Sequence, residues 1–140
     1  MSNHPCQLGR LVRKEEDASI VFEDDKTMAF LDIRPVNDGH TLVIPKAHYE
    51  NIFDIPEDEL AYLYRIVKKT ALAVKKGVDA EGISVGQQNG RAANQRVFHL
   101  HVHVIPRYEG QRFRRPEELN EANRDRLDEI AMKIRKEFHS

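Results

Sequence analysis

The 140-residue chain has a single cysteine, Cys6, and lacks both a block of basic residues and a long apolar run. One cysteine cannot close an intramolecular disulfide, which is typical of proteins in a reducing compartment. A formal net charge of −1 gives no bulk attraction to nucleic acid. The first ten residues lack the apolar segment of a secretory signal, and no stretch has the length needed to span a bilayer. We therefore expect one cytoplasmic domain with neither nucleic acid nor a membrane as partner.

Short apolar runs bounded by turn signals predict five β-strands. Two helices are also expected. In the longer one, apolar residues from Leu60 to Val74 recur at helical spacing. The second is expected to begin near Pro116 and to bury Leu127, Ile130, Ile134 and Phe138. Only the long helix offers a crossover, so the pattern predicts an α+β fold with a mainly antiparallel sheet. The predicted strands lie within 19–25, 26–32, 40–45, 81–90 and 98–104.

The segment FHLHVHVIPR, residues 98–107, contains three of the seven histidines of the chain. His99, His101 and His103 alternate with apolar residues, which predicts a half-buried strand. One face of this strand would pack on the core, and the other would carry a row of imidazoles roughly 6.6 Å apart.

Three interpretations of this row are open. It could be a polar face turned to solvent, a metal site built from a His-x-His pair and a distant third ligand, or a phosphate site with a histidine nucleophile. The preceding residues 86–97 combine glycine and asparagine turn formers, side-chain amides and two arginines, without a carboxylate. Such a loop can direct N–H groups at an anion, which favours the phosphate site.

The motif HLHVHVI also matches the pattern His-x-His-x-His followed by two apolar residues. With the flanking IPRY, the upstream DIRPVNDGHTLVIPKAH and LGRLVRKE near the start, residues 8–108 resemble the histidine triad (HIT) superfamily, in particular its Hint and bacterial Hit-like members. The resemblance implies a HIT-like five-stranded domain, with residues 109–140 as a C-terminal helical extension. It also implies a homodimeric enzyme that needs no cofactor and acts on a purine nucleotide, such as an adenosine conjugate. Cleavage at the α-phosphorus would proceed through a nucleotidyl-histidine, as in dinucleoside polyphosphate hydrolases or nucleoside phosphoramidases.

The resemblance assigns the catalytic roles to the three histidines. His101 matches the nucleophile, which must be neutral, with its other ring nitrogen held by a partner. His99, or a backbone carbonyl near it, is expected to hold that nitrogen. His103 matches the residue that binds the phosphate or the bridging atom, and as an imidazolium it could protonate the leaving group.

The substrate contacts are implied in the same way. Gln95 matches a glutamine whose amide reaches the scissile region, and Asp32 matches the carboxylate that accepts hydrogen bonds from the ribose hydroxyls. Phe30 and Ile33 would border the base.

Three positions bear on the phosphate contacts. Gln88 stands where relatives have asparagine, and Arg96 where many have serine or threonine. Arg96 could compensate with its charge or point to solvent, while Arg107 could assist a longer phosphate chain.

Relatives that bind structural zinc use a Cys-x-x-Cys pair and two histidines. Cys6, His48 and His99 match three of these ligands, but Gly9 replaces the second cysteine. Because a closed zinc site needs four ligands, we expect no tightly held metal. A non-catalytic nucleotide-binding sensor or scaffold and a metal-dependent hydrolase stay open as alternatives.

Overall fold

A computed structural model describes residues 7–112 and 114–138. Within them the chain forms an α+β fold, as predicted, with five strands, three α-helices and two short 3₁₀ turns at Arg91–Ala93 and Pro116–Glu118. The elements in chain order are α1 (Gln7–Val12), β1 (Ile20–Glu23), β2 (Thr27–Leu31), β3 (Thr41–Pro45), α2 (Glu57–Gly77), β4 (Gly82–Gly86), β5 (Val102–Arg107) and α3 (Arg124–Arg135).

The five strands form one antiparallel sheet in the order β1-β2-β3-β5-β4. Helix α2 connects β3 to β4, and β5 then inserts between these two strands. The histidine strand β5 therefore has a neighbouring strand on each side. His103 lies opposite Leu42 of β3 on one side and Gly86 of β4 on the other.

The turn before β3 brings two polar residues to the same end of the sheet. Gly39 adopts φ +100°, a conformation that glycine accepts without steric cost, and the amide of His40 donates to the carbonyl of Asn37 at 3.0 Å. The backbone N–H of Asp32 then donates to the carbonyl of His40 at 2.9 Å. Asp32 and His40 are thereby fixed beside each other.

The sheet has a different apolar cover on each face. Helices α2 and α3 pack on one face, where Leu63, Val74 and Ile134 are almost fully buried. Gly77, at the end of α2, approaches α3 so closely that an added Cβ would lie 2.9 Å from the Cα of Ile134. On the other face, residues of α1 form a second apolar cluster with side chains of β2 and β3.

The C-terminal helix starts later than predicted. It begins at Arg124 because the side chain of Asn123 accepts hydrogen bonds from the backbone N–H groups of Asp125 and Arg126 and so caps the helix. Of the expected apolar face, Leu127, Ile130 and Ile134 are buried. Phe138 is half-buried and stacks on Phe22 at a centroid distance of 5.1 Å. In the described part of the chain, no helix has the length and hydropathy of a membrane span.

Candidate active site

A cavity of about 540 Å³ opens between α1 and the sheet. Its walls are mostly apolar, and His101, His103 and Asp32 lie among them as polar groups. Phe30 and Ile33, which were expected to border a base, line this cavity. The other apolar wall residues are Leu8, Leu11, Ala18, Leu31, Leu42 and Val97, and the charged residues Asp17 and Arg34 also line the cavity.

The C-terminal segment also contributes to this cavity, which the sequence did not predict. The backbone N–H of Ala122 donates to the carbonyl of Ile33 at 2.8 Å, and the neighbouring Glu121 and Arg124 line the cavity. Arg124 is anchored by a 2.7 Å hydrogen bond to the hydroxyl of Ser19. Residues beyond the triad therefore help to shape the pocket.

His101 is held in one tautomer by its own backbone neighbour. Its Nδ1 lies 2.8 Å from the carbonyl oxygen of His99, which can only accept, so Nδ1 carries the proton. The lone pair is then on Nε2. This is the arrangement that a histidine nucleophile requires, and it corresponds to the predicted alternative in which a carbonyl near His99 fixes the tautomer.

Of the three triad imidazoles, those of His101 and His103 line the cavity. Regular pairing of β5 begins only at Val102, because the N–H of Leu100 donates instead to the carbonyl of Tyr49 at 2.7 Å. The rings of His101 and His103 stay side by side, with centroids 5.2 Å apart. The His99 ring is buried, and its Nε2 is 2.8 Å from the carbonyl of Pro45. Burial lowers the pKa of His99 to about 4, so its ring is neutral at neutral pH.

A fourth histidine, His40, completes the site. The backbone N–H of Val36 donates to its Nδ1 at 3.0 Å, so the proton of the neutral ring is on Nε2. That Nε2 lies 2.9 Å from Nδ1 of His103 and 3.6 Å from the nearer carboxylate oxygen of Asp32. Its N–H therefore donates to His103, and the proton of His103 is placed on Nε2. Sequence reasoning predicted His40 only as the start of a strand, because its role depends on a pairing across 63 residues.

Burial lowers the pKa values of both His40 and His103 to about 4. At neutral pH His103 is therefore a neutral N–H donor in the ligand-free protein. Burial raises the pKa of Asp32, while the backbone N–H of Arg34 at 2.9 Å and the nearby histidines act in the opposite direction.

The loop before the triad is organised by Gln95. This buried side chain accepts hydrogen bonds from the N–H of Gly90 and the amide of Asn51, and donates to the carbonyls of Glu50 and Val97. Both amide protons are thus used inside the protein, so the expected contact with the scissile region has no support from these contacts.

The predicted phosphate contacts are separated by the fold. Arg96 is exposed. It lines neither the cavity beside α1 nor a second cavity next to His103. Gln88 lines the second cavity, a more open space of about 360 Å³. Arg107 lies at the far end of β5, opposite Gly82.

Two groups of side chains could interact with a metal. Asp32, His40 and His103 each offer a ligand atom within 4.8 Å of the others, the only such trio in the described residues. Separately, Nδ1 of His48 and Nδ1 of His99 are 3.3 Å apart. Their expected partner Cys6 lies outside the described residues, so the prediction of no tightly held zinc stays a prediction.

Comparison with known proteins matches residues 13–110 to the HIT domain. An uncharacterized HIT-like protein of Methanocaldococcus jannaschii is 47% identical over 105 residues, covering 75% of this chain and 81% of that protein. A crystal structure of a hypothetical histidine triad nucleotide-binding protein from Sulfolobus tokodaii is 38% identical, with a TM-score of 0.87 over 95% of this chain and 91% of that one. A zinc-bound histidine triad family protein from Mycobacterium smegmatis is 33% identical, with a TM-score of 0.83 over 95% and 92% of the two chains.

The fold and site thus define a HIT domain, and the chain belongs to the HIT family. Within that family it is similar to bacterial Hit-like proteins, as its triad motif and flanking residues predicted, and also to HIT-like proteins of archaea.

Proposed function

We propose that this protein is a nucleotide hydrolase or transferase that cleaves a purine nucleotide conjugate at the α-phosphorus through a nucleotidyl-His101 intermediate. The observation that carries the proposal is the 2.8 Å contact between Nδ1 of His101 and the carbonyl of His99. It leaves the Nε2 lone pair available on a wall of the mainly apolar cavity. Family membership and the Sulfolobus tokodaii relative, named as nucleotide-binding, support the coarser class.

The first step is an attack by Nε2 of His101 on the α-phosphorus. The N–P bond forms while the bond from phosphorus to the leaving atom breaks. His101 gains positive charge in this step, and its Nδ1–H stays hydrogen-bonded to the His99 carbonyl, which stabilises that charge. Water then attacks phosphorus, the N–P bond breaks, and the nucleoside monophosphate is released.

The leaving group takes its proton from His103. Because Nε2–H of His40 donates to Nδ1 of His103, the His103 proton is on the nitrogen that is free of this hydrogen bond. As this proton passes to the leaving atom, Nε2–H of His40 passes to Nδ1 of His103, and a proton held by the Asp32 carboxyl, 3.6 Å away, passes to His40. Burial raises the pKa of Asp32, which favours its protonated form, and after the transfer both rings are neutral and Asp32 is the carboxylate. A positioned proton donor of this kind contributes about 10²–10⁴-fold when the leaving group is poor.

The nucleoside is assigned to the cavity beside α1. Its apolar walls, with Phe30 and Ile33, suit a purine base, and Asp32 can accept hydrogen bonds from the ribose hydroxyls. Gln95 acts indirectly in this proposal, because it fixes the loop that leads into the triad.

A metal-dependent hydrolase is the second candidate, favoured by the Asp32, His40 and His103 trio. These three side chains would hold the ion, which could supply the Lewis acid that activates a water. A nucleotide-binding sensor or scaffold would bind nucleotide without turnover.

Turnover of adenosine 5′-phosphoramidate and diadenosine tetraphosphate separates these functions. We expect wild type to hydrolyse an adenosine substrate in the presence of EDTA, and His101→Ala to lose activity while still binding AMP. Lys68→Ala, an exposed control on α2 outside both cavities, should stay active. Activity that disappears with EDTA and survives in His101→Ala would replace the proposal by the metal mechanism. AMP binding without any turnover would replace it by a sensor or scaffold.

A further inference from the structure

Arg124 is anchored on the side of the cavity beside α1 that lies opposite the triad. Its Nη1 donates at 2.7 Å to the hydroxyl of Ser19, the residue before β1. Strands β2 and β3 lie between β1 and the histidine strand β5. The anchor of Arg124 is therefore three strand spacings of about 4.8 Å, or roughly 14 Å, from the strand that carries His103.

The position of Arg124 is fixed by groups that are themselves held in place. Ser19 is 3% exposed, and its hydroxyl donates to the Asp128 carboxylate at 2.6 Å while it accepts from Arg124. A second bond runs from Nη2 of Arg124 to the carbonyl of Asp17 at 3.4 Å. In the part of the chain that the structure describes, Arg124 pairs with no carboxylate. Its guanidinium therefore keeps N–H donors for a ligand in the cavity.

A nucleotide whose phosphorus is at His101 would direct its base towards Arg124. Phosphorus and base are at opposite ends of a nucleotide, with the ribose between them. Phe30 of β2 lines the cavity between the β1 side and the triad, where the base would pack. Position 6 of a purine is on the side of the ring away from the ribose, so the substituent at this position is the part of the base that approaches Arg124.

The two common purines differ at this position. Guanine has the acceptor O6 beside the acceptor N7, a pair that arginine contacts with two hydrogen bonds, whereas adenine has an N–H₂ donor in place of O6. A guanidinium has donors only, so it pairs with guanine and opposes the adenine amine. Asp17 and Glu121 also line the cavity, and their carboxylates can accept from the N1–H and the 2-amino group that guanine has and adenine lacks. The charged groups outside the triad region therefore suit guanine.

We propose that Arg124 selects the base, so that guanosine conjugates are preferred over adenosine conjugates. This inference rests on the proposed function and specifies its substrate class. The bond that forms at His101 and the bond that breaks are the same for both purines, and Phe30 can pack against either ring. Adenosine conjugates therefore still react, with a lower kcat/KM.

The test uses the 5′-phosphoramidates of guanosine, inosine and adenosine, which differ only in the base. We expect kcat/KM of the wild type to be about tenfold higher for guanosine than for adenosine. Inosine keeps O6 and N7, so its kcat/KM should stay within about threefold of the guanosine value. Arg124→Met should reduce the ratio of guanosine to adenosine to less than about twofold.

Arg135→Met is the matched control. Arg135 is on the same helix and donates to the carbonyl of Ile20 in β1, but it lines neither cavity. Both variants thus remove a contact between α3 and the β1 region, and a purely structural role would lower activity on all three substrates together. Arg135→Met should keep the wild-type ratio, and thermal unfolding shows whether both variants are folded.

Binding of GMP and AMP, measured by titration calorimetry, separates base selection from the proposed function. If wild type turns over guanosine and adenosine equally well, or Arg124→Met keeps the preference, base selection by Arg124 is wrong and the proposed function stands. If no substrate is turned over but GMP binds more tightly than AMP in wild type and not in Arg124→Met, the proposed function fails and base selection stands. Equal or absent binding without turnover would overturn both.

Discussion

His40 provides the sharpest prediction about how the site controls a proton. His40→Leu removes the Nε2–H that donates to His103 at 2.9 Å, together with the Nδ1 that accepts from the N–H of Val36 at 3.0 Å. His103 then loses the partner that keeps its proton on Nε2. His40→Gln is the matched variant, because its amide N–H can still donate to His103.

The magnitude follows from the two lost interactions. The unpaired N–H of Val36, next to a buried site, should lower the free energy of unfolding by about 1–3 kcal/mol. For the reaction, loss of a fixed proton donor should slow cleavage of a poor leaving group by about 10²-fold, at the low end of the general-acid range. A good leaving group needs no proton and should lose less than about fivefold. His40→Gln should recover part of the difference.

Single-turnover kinetics on two adenylyl substrates measures this effect. An alkyl phosphoramidate supplies the poor leaving group and a p-nitrophenyl phosphodiester the good one, while urea unfolding shows whether each variant is folded. An equal loss on both substrates would mean that His40 acts only through stability. An unchanged rate with the poor leaving group would refute the proton path from His40 to His103.

Three further predictions concern packing, pH and assembly. Gly77→Ala should lower the free energy of unfolding by about 1–3 kcal/mol, since its Cβ would meet the backbone of α3. Gly82→Ala, whose Cβ would have nothing within 4 Å, should change it by less than about 0.5 kcal/mol. Urea unfolding of both variants tests this, and equal losses would contradict it. The free energy of unfolding should fall as pH is lowered from 6.5 towards about 4. In this window three histidines take up protons in the unfolded chain but stay neutral in the folded protein, where they are buried. A constant free energy of unfolding between pH 7 and pH 5 would contradict this. These histidines are His40, His99 and His103. The protein should be a homodimer through the edge strand β4, where Val85 is 49% exposed. Light scattering should show a dimer, and Val85→Lys should dissociate it. A monomeric wild type at micromolar concentration would count against this prediction.

The strands and the long helix could be predicted because their patterns are local. Apolar runs between turn signals marked β1, β2 and β3 within a few residues, and helical spacing marked α2. The start of α3 was missed because Pro116 is also a good first residue for a single 3₁₀ turn. The cap at Asn123 decides where the helix begins.

The site was only partly predictable because its contacts are distant in sequence. Period-2 spacing predicts which way side chains point only where the strand is regular. The N–H of Leu100 bonds to the carbonyl of Tyr49 before regular pairing of β5 begins, and the His99 ring lies in the interior. His40 joins the site through the turn that ends at Gly39 and through the pairing of β3 with β5. Gly86 and His103 both line the second cavity, and they are brought together by the register of β4 and β5.

Covalent nucleotidylation of His101 is tested most directly by intact-protein mass spectrometry after rapid quench. With a good leaving group, we predict one added adenylyl group per chain in the first turnover, mapped by proteolysis to residues 98–107. His103→Ala should still form this adduct with a good leaving group, while His101→Ala should form none. Full turnover by wild type with no adduct at any quench time, together with an undiminished rate in His101→Ala, would contradict the mechanism.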